Sequence, residues 1–152
     1  MTYTSAEARQ ELADALAGAI EQIGVAVADL SAAYEQLDER NADLLESELF
    51  APVQRAYGRA KGAHAKFVDT HGLAGRRFEA PPPGIPSTGV RGFIDGAVRS
   101  VEQADNGLSE LQDSGLPTEV GDRELRTALM GVRELLGGVR SRARDFERTL
   151  GR

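Results

Sequence analysis

Apolar residues recur at intervals of three and four along four long segments of this chain, and this spacing limits the possible folds more than any other feature. In the first segment the repeat runs through Leu12, Leu16, Ile20, Ile23, Val27, Leu30, Tyr34 and Leu37. Such a repeat places the apolar side chains along one face of an α-helix. Each helix then has one face to bury, so we predict an all-α fold in which helices pack on helices.

Three further segments repeat this pattern, with stripes that start at Val53, Val90 and Leu125. Four such faces are buried most simply in one antiparallel four-helix bundle with heptad-type packing and crossing angles of about 20°. We predict helices at about residues 5–39, 42–71, 88–114 and 118–150. Together they form a single domain of residues 1–152, which is a common domain size.

Local signals mark two of the helix ends. Thr4 and Glu7 have the spacing of a capping box, in which each side chain bonds the backbone N–H of the other residue. Gly72 followed by Leu73 is typical of a Schellman cap, because glycine readily adopts the left-handed backbone that this cap requires. The first helix should therefore begin after Thr4, and the second should end just before Gly72.

Three features interrupt the helical pattern. The polar run 38–41 should stop or bend the first helix. Pro52 should kink the second helix or open a second segment there, because proline lacks an N–H and clashes with the preceding turn. Residues 73–87 form a long connector whose four prolines, all within 81–86, favour polyproline II. About 15 residues at ~3 Å each reach the length of a bundle. The connector is therefore either a slack short-range link or a crossover that makes the second and third helices parallel.

The charge of the chain is acidic overall and unevenly placed. The net charge is −6, with eleven acids and two bases in residues 1–50 but three acids and eight bases in residues 51–100. An acidic total argues against nucleic-acid binding, which requires a basic face. Complementary charge on the first two helices helps to fix them as neighbours. The chain has no Cys, which excludes a thiolate nucleophile or metal ligand, and we expect no metal and no cofactor.

No targeting or membrane segment is evident in the sequence. The start MTYTSAEARQEL lacks the basic and apolar regions of a signal peptide, and we find no run of ~18 apolar residues. We therefore predict a cytoplasmic protein without a transmembrane segment. Sixteen Arg against two Lys hint at a GC-rich bacterial genome.

His64, His71 and Tyr57 share the predicted buried face of the second helix, among small residues such as Ala60 and Ala63. A polar pocket at this face would bind a small molecule or a metal between the helices near His64. The Glu-x-x-His pairs of di-iron bundles are absent, because neither histidine has Glu three residues before it. The structural interpretation makes His64 a core histidine bonded to a backbone or hydroxyl group, and His71 a helix-end residue favoured by the helix dipole.

Glycines inside two of the predicted helices need a compensating interaction. Gly58 and Gly62 lie in the second helix, and Gly92 and Gly96 lie in the third. Each interior Gly costs about 1 kcal/mol of helix stability relative to Ala. We expect close approach of neighbouring helices to compensate, because a missing side chain lets two backbones pack tightly. The alternative is a local hinge or a groove for a partner.

The connector also contains a PxxP string from Pro83 to Pro86, with Arg76 and Arg77 upstream. Proline-rich strings of this kind dock as polyproline II helices into grooves lined by aromatic side chains. These four residues therefore define an interaction-loop hypothesis. The alternative is a stiff connector that binds nothing.

Catalytic signatures are missing from the sequence, which has no phosphate loop, no glycine-rich strand-to-helix turn and no nucleophile elbow. We therefore favour a non-enzymatic protein over an enzyme. Heptad patterning on every helix favours a protein-interaction or assembly module that binds a protein partner or associates with itself as a homo-oligomer. The alternative is a small-molecule or metal binding protein with its site near His64.

Two short strings resemble the YxxxD or YxxxE signal associated with type VII secretion substrates, namely Tyr34 to Asp38 and Tyr3 to Glu7. The predicted helical hairpin of residues 5–71 is similar to such proteins in outline. The resemblance implies a secreted helical-hairpin substrate. The chain departs from the best-known family of this kind, because it has no Trp and therefore no WxG turn.

Overall fold

The computed structural model describes residues 4–85 and 89–150, and within these ranges it contains helices and no strand. The predicted all-α class is confirmed. The elements in chain order are α1 (Ser5–Glu35), α2 (Glu39–Leu45), a π-helical turn (Glu46–Phe50), α3 (Ala51–Thr70), α4 (Gly89–Asp113), α5 (Leu116–Glu119), α6 (Arg123–Gly137) and α7 (Val139–Leu150).

Both predicted caps are present. The backbone N–H of Glu7 donates to Thr4 Oγ1 at 3.1 Å, and the Thr4 N–H donates to Glu7 Oε2 at 3.4 Å. At the end of α3, the Leu73 N–H donates to the Val68 carbonyl at 2.8 Å, which is the long bond of a Schellman motif. Gly72 has a φ of +66°, as this motif requires. The capping box and the Schellman cap are therefore confirmed.

The interruption at Pro52 takes the form of a π-helical turn. The backbone on both sides of Glu46–Phe50 keeps right-handed helical angles, so α2, the turn and α3 run on as one helix from Glu39 to Thr70. Proline has no N–H to donate, and its ring clashes with the carbonyl four residues earlier. The wider π turn just before Pro52 accommodates both effects. The helix continues through the proline and does not start afresh there.

The prediction of one continuous helix over residues 118–150 is wrong. This segment is divided into α6 and α7 by Gly138, and the preceding short helix α5 is separate. Two consecutive glycines each weaken a helix by about 1 kcal/mol relative to Ala, which explains the break at Gly137–Gly138. α6 begins where Asp122 caps it, because Asp122 Oδ1 accepts from the Leu125 N–H at 2.8 Å.

α1 packs chiefly against α4 and then against α3, while α3 packs chiefly against α6. Gly96, near the start of α4, lies against Asp29, near the end of α1. Glu11, near the start of α1, lines one cleft together with Glu110, near the end of α4. α4 therefore runs opposite to α1.

α3 also runs opposite to α1, because Tyr57 lies against Gly24 and His64 lies near Asp14. α3 and α4 consequently run in the same direction, although they follow one another in the chain. The connector between them must return along the length of the molecule. Of the two alternatives for residues 73–87, the crossover is the one observed.

α1 is unusually apolar for its length. An 18-residue window within Ser5–Glu35 has a mean hydropathy of 1.3, enough by length and composition to cross a membrane, and 56% of that window is buried inside the molecule. Charged residues such as Asp14 and Glu21 interrupt this helix, so it is apolar on average without being one continuous apolar run. Core helices and signal sequences share this composition, so it does not assign a location.

Candidate functional site

The crossover connector lies along α1 and is held there at both ends. Arg76 forms an ion pair with Glu21, and the Gly84 N–H donates to Asp29 Oδ1 at 3.1 Å. Between these points the half-buried Phe78 packs against the core. We call residues 76–84 the strap, because they are attached to α1 at Glu21 and Asp29 and cover His64 of α3 between these points.

His64 is buried directly under the strap. Its exposed fraction is 3%, and the Phe78 ring meets its ring edge-on with centroids 5.0 Å apart. The imidazole donates a hydrogen bond to the backbone carbonyl of Ala13. Burial lowers the pKa of His64, while the negative charge of Asp14 opposes that shift. A ligand that reached this imidazole would first have to displace Phe78.

Tyr57 lies one heptad before His64 and faces the same groove. Its hydroxyl packs against Gly24, and the Lys61 Nζ lies 4.0 Å above the centre of its ring. Burial raises the pKa of the Tyr57 hydroxyl, and the negative charge of Glu79 on the strap raises it further. His64 therefore belongs to the contact between α3 and the strap, whereas Tyr57 packs against α1.

His71 is separate from that contact. It is the C-cap residue of α3, and its ring lies 4.6 Å from the ring of Phe67. Its Nε2 is buried and has no hydrogen-bond partner among residues 4–85 and 89–150. The structure therefore places the three predicted ligand residues at two positions, and ligand binding by them stays a prediction.

The four residues of the predicted interaction loop also differ in their surroundings. Arg76 is engaged with Glu21, and its guanidinium carbon lies 5.4 Å from the centre of the Phe78 ring. Arg77 and Pro83 are exposed. Pro86, the second proline of the PxxP string, lies outside the described residues, and so do the predicted starts of the third helix at positions 87 and 88.

Among the glycines of the second and third predicted helices, close approach explains Gly96 and fails for Gly58 and Gly62, and it also applies to Gly24 in α1. A Cβ built on Gly96 would lie 2.9 Å from Asp29 Oδ2, and one on Gly24 would lie 3.2 Å from the Tyr57 hydroxyl. Gly58 and Gly62 have no such neighbour within 4 Å, so the close-packing expectation is wrong there.

Gly62 instead lines a cavity of about 180 Å³ between α3 and α6. Its apolar wall comes from Ala63, Phe67, Leu125 and Ala128, and its rim carries charged side chains. One pair of these, Lys66 and Glu124, forms an ion pair between α3 and α6. The small residues of α3 therefore open a space beside Phe67 that faces α6.

Sequence reasoning missed Asp29, a buried carboxylate with an exposed fraction of 8%. Its carboxylate accepts a hydrogen bond from the Gly84 N–H at the end of the strap and lies against Gly96 of α4. One signal was present: Asp29 directly precedes Leu30 on the apolar stripe and lies three residues after Ala26, a position that faces the core. Sequence reasoning also missed the cleft between α4 and α7 that is lined by Asp95 and Glu147, which are 52 positions apart.

No family model, curated protein or solved structure matches this chain. In the described part of the chain, no group of three or more His, Asp or Glu side chains is placed to hold a metal ion.

Tyr34, the first residue of the string that resembles the type VII secretion signal, is 36% exposed in the last turn of α1, and Asp38 is the N-cap of α2. Tyr3 lies outside the described residues, and the secretion resemblance stays a prediction.

Acidification should destabilise the protein through His64. The unfolded chain protonates this imidazole near its ordinary pKa of 6.5, whereas the folded chain does so only at lower pH. The unfolded state then binds more protons as the pH falls below 6.5, so the free energy of unfolding decreases. We expect His64→Gln, which keeps an N–H donor for Ala13, to lose less stability than the wild type between neutral and mildly acidic pH. Urea titrations at several pH values measure this difference, and parallel curves for the two proteins would contradict it.

Proposed function

We propose that this protein is a non-enzymatic interaction module that presents the strap to a protein partner. One observation carries the proposal: the strap is held to the helices at both ends, while its three consecutive prolines remain exposed. A connector that served only to link α3 and α4 would not need these specific attachments.

Consecutive prolines make this part of the strap a stiff ligand. Each fixes its own φ near −65° and pushes the preceding residue into extended backbone, so Pro81–Pro83 favours polyproline II. Attachment at Glu21 and Asp29 further reduces the conformations that the free strap can adopt. A partner would therefore bind it with a smaller loss of conformational entropy than a free peptide would incur.

The chemistry of the strap defines the partner. Polyproline II segments dock between aromatic rings, and the exposed Arg77 at the start of the exposed stretch favours a carboxylate beside such a groove. This chain has no Trp, and among its phenylalanines Phe67, Phe93 and Phe146 are buried. We therefore propose a separate cytoplasmic protein as the partner. The alternative is a homo-oligomer, which native mass spectrometry of the purified chain would detect as a multiple of the chain mass.

The scaffold that we propose for the strap is an antiparallel four-helix bundle with heptad-type packing. Two contacts support it beyond those of α1. Lys66 near the end of α3 pairs with Glu124 at the start of α6, and Arg91 near the start of α4 donates to the carbonyl of Glu147 near the end of α7. Neighbouring helices in such a bundle alternate in direction, as these pairs do.

Site-specific photocrosslinking in the native host tests the proposed surface. We expect benzoylphenylalanine at position 82 to give a discrete adduct with one protein, because this position lies on the exposed stretch of the strap. The matched control carries the same group at Met130, which is 60% exposed on α6. Replacing Pro81 and Pro83 by Gly should abolish the adduct at position 82 without loss of helical circular dichroism. No adduct at position 82, or the same adduct at position 130, would overturn the proposal.

A second candidate function is binding of a small molecule in the cavity beside Gly62. The observation in its favour is that Gly62 faces open space lined by Phe67 and Leu125 and is not closely packed. Apolar clefts with a charged rim are common small-molecule sites. Native mass spectrometry of protein from the host should then show a bound mass that Gly62→Leu removes, and an unmodified mass for both proteins would reject this function.

A further inference from the structure

The cavity between α3 and α6 is lined by an arginine that has no acidic partner. Arg59 of α3 lines this cavity together with Gly62. Its guanidinium forms no ion pair or hydrogen bond with any other residue in the described ranges 4–85 and 89–150. The N–H donors of Arg59 are therefore available to a ligand that enters the cavity.

The other charged groups at the rim are already engaged. Lys66 forms an ion pair with Glu124, and Asp122 Oδ1 accepts the hydrogen bond from the Leu125 N–H that caps α6. The hydrogen bond to Glu124 raises the pKa of Lys66, and the negative charges of Glu124 and Asp122 raise it further. Both carboxylates therefore act on Lys66. Arg59 is the rim cation that no carboxylate in the described part of the chain compensates.

Gly131 of α6 keeps Arg59 in its place. This glycine is buried, and a Cβ built on it would lie 2.8 Å from Arg59 Nη2 and closer still to Nη1. A glycine inside a helix costs about 1 kcal/mol of stability relative to Ala. Here the missing side chain leaves room for the guanidinium against α6, beside the cavity. Any larger residue at position 131 would push the guanidinium away.

The cavity has a charged group at each end, because α3 and α6 run in opposite directions. Arg59 meets α6 at Gly131, and Lys66 meets it at Glu124, so the two contacts are seven residues apart on each helix. Seven residues of α-helix span about 10 Å. The wall between these ends is apolar and includes Phe67. Its volume of about 180 Å³ is close to the roughly 150 Å³ of a cavity that holds one benzene molecule.

We propose that this cavity binds small apolar carboxylates, with the ring or short alkyl chain between α3 and α6 and the carboxylate on Arg59. A guanidinium donates two parallel hydrogen bonds to a carboxylate, which makes the contact specific for that group. Burial of the apolar part beside Phe67 and Leu125 supplies the remaining affinity. This ligand class rests on the second candidate function, small-molecule binding beside Gly62, and is independent of the strap.

Titration of the full chain with sodium benzoate at neutral pH, followed by two-dimensional NMR, tests this assignment. Benzamide is the matched neutral compound, because it has nearly the same shape and no charge. We expect benzoate to shift the amide signals of Gly62 and Leu125. Benzoate should bind about fivefold more tightly than benzamide, a modest factor because Arg59 is exposed and solvent screens part of the contact.

Three variants separate the role of Arg59 from that of the cavity. Arg59→Gln should lower the affinity for benzoate about fivefold and leave the affinity for benzamide unchanged. Arg55→Gln is the matched control, because it removes the same charge from an exposed position one turn earlier on α3, away from the cavity. It should leave both affinities unchanged. Gly62→Leu fills the cavity and should abolish binding of both compounds, with helical circular dichroism retained.

Equal affinities for benzoate and benzamide, with no effect of Arg59→Gln, would overturn the assignment of the ligand class. Equal losses in Arg59→Gln and Arg55→Gln would indicate general attraction to a basic helix and would also overturn it. No shift at Gly62 and Leu125 with either compound would overturn it as well. A bound mass from the host that Gly62→Leu removes would in each of these cases still support the second candidate function, so the two failures are distinguishable.

Discussion

Replacing Phe67 by alanine is expected to lower the free energy of unfolding by about 3–5 kcal/mol. The ring is 1% exposed, packs against His71 and forms one wall of the cavity between α3 and α6. Its loss removes the transfer free energy of a large apolar group and joins the vacated space to an existing cavity. The helices on both sides are long, so the site cannot easily collapse.

Urea unfolding followed by circular dichroism measures this effect. The free energy of unfolding should fall with urea concentration at the same slope in both proteins, which shows that the unfolded state is unchanged. Met130→Ala is the matched control, because it also removes a large apolar side chain but from a 60% exposed position on α6. We expect the control to change stability by less than about 0.5 kcal/mol. A cost below about 1 kcal/mol for Phe67→Ala would mean that α3 and α6 do not pack as described.

Gly96→Ala is expected to destabilise the protein by about 1–2 kcal/mol, although Ala is the better helix former by about 1 kcal/mol. The new methyl group would lie 2.9 Å from Asp29 Oδ2. Asp29 is buried and also accepts from the Gly84 N–H, so it cannot move without loosening the strap. The steric cost therefore exceeds the gain in helix propensity.

The sign of this effect should reverse when Asp29 is replaced. In an Asp29→Ala background, Gly96→Ala should stabilise the protein by up to about 1 kcal/mol, since only the propensity gain remains. The coupling between the two sites is then about 2–3 kcal/mol in a double-mutant cycle. Gly62→Ala, with open space around it, should stabilise both backgrounds by similar amounts. If Gly96→Ala changes the free energy of unfolding by the same amount in both backgrounds, the contact between Gly96 and Asp29 is wrong.

The sequence was most informative where structure depends on neighbours in the chain. The capping box at Thr4 and the Schellman cap at Gly72 follow from hydrogen bonds over a few residues. The buried residues of α3 and α6 likewise follow from helical periodicity, since Val53 and Leu125, where two of the predicted stripes start, are both buried. These features require no knowledge of the remaining fold.

The path of the chain depended on contacts that the sequence does not show. The length of the connector was compatible with two topologies, and the attachments at Glu21 and Asp29 that accompany the crossover involve residues 55 positions apart. The break at Gly138 was missed because apolar periodicity continues through it from Leu136 to Val139. At Pro52 the predicted kink gave way to a π turn, which keeps the helix continuous.

For the candidate site, the sequence indicated which residues are buried but not which residues of other elements pack against them. His64 and Tyr57 were rightly placed on a buried face, but His64 is covered by Phe78 of the strap, and Tyr57 packs against Gly24 of α1. Asp95 and Glu147 lie in separate helices, and the packing of α7 on α4 brings both carboxylates into one cleft. Such pairs cannot be recognised without knowing which helices are neighbours.

The order of the helices also has a consequence for synthesis on the ribosome. α1 finds its main partner in α4, so its apolar face is not fully covered until residue 113 has left the exit tunnel. About 80 residues separate the ends of these helices, which corresponds to about 4–16 s of translation. During that interval a nascent helix with a window hydropathy of 1.3 stays partly uncovered. We therefore expect the newly made chain to rely on ribosome-associated chaperones, as a bundle of simple sequential hairpins would not.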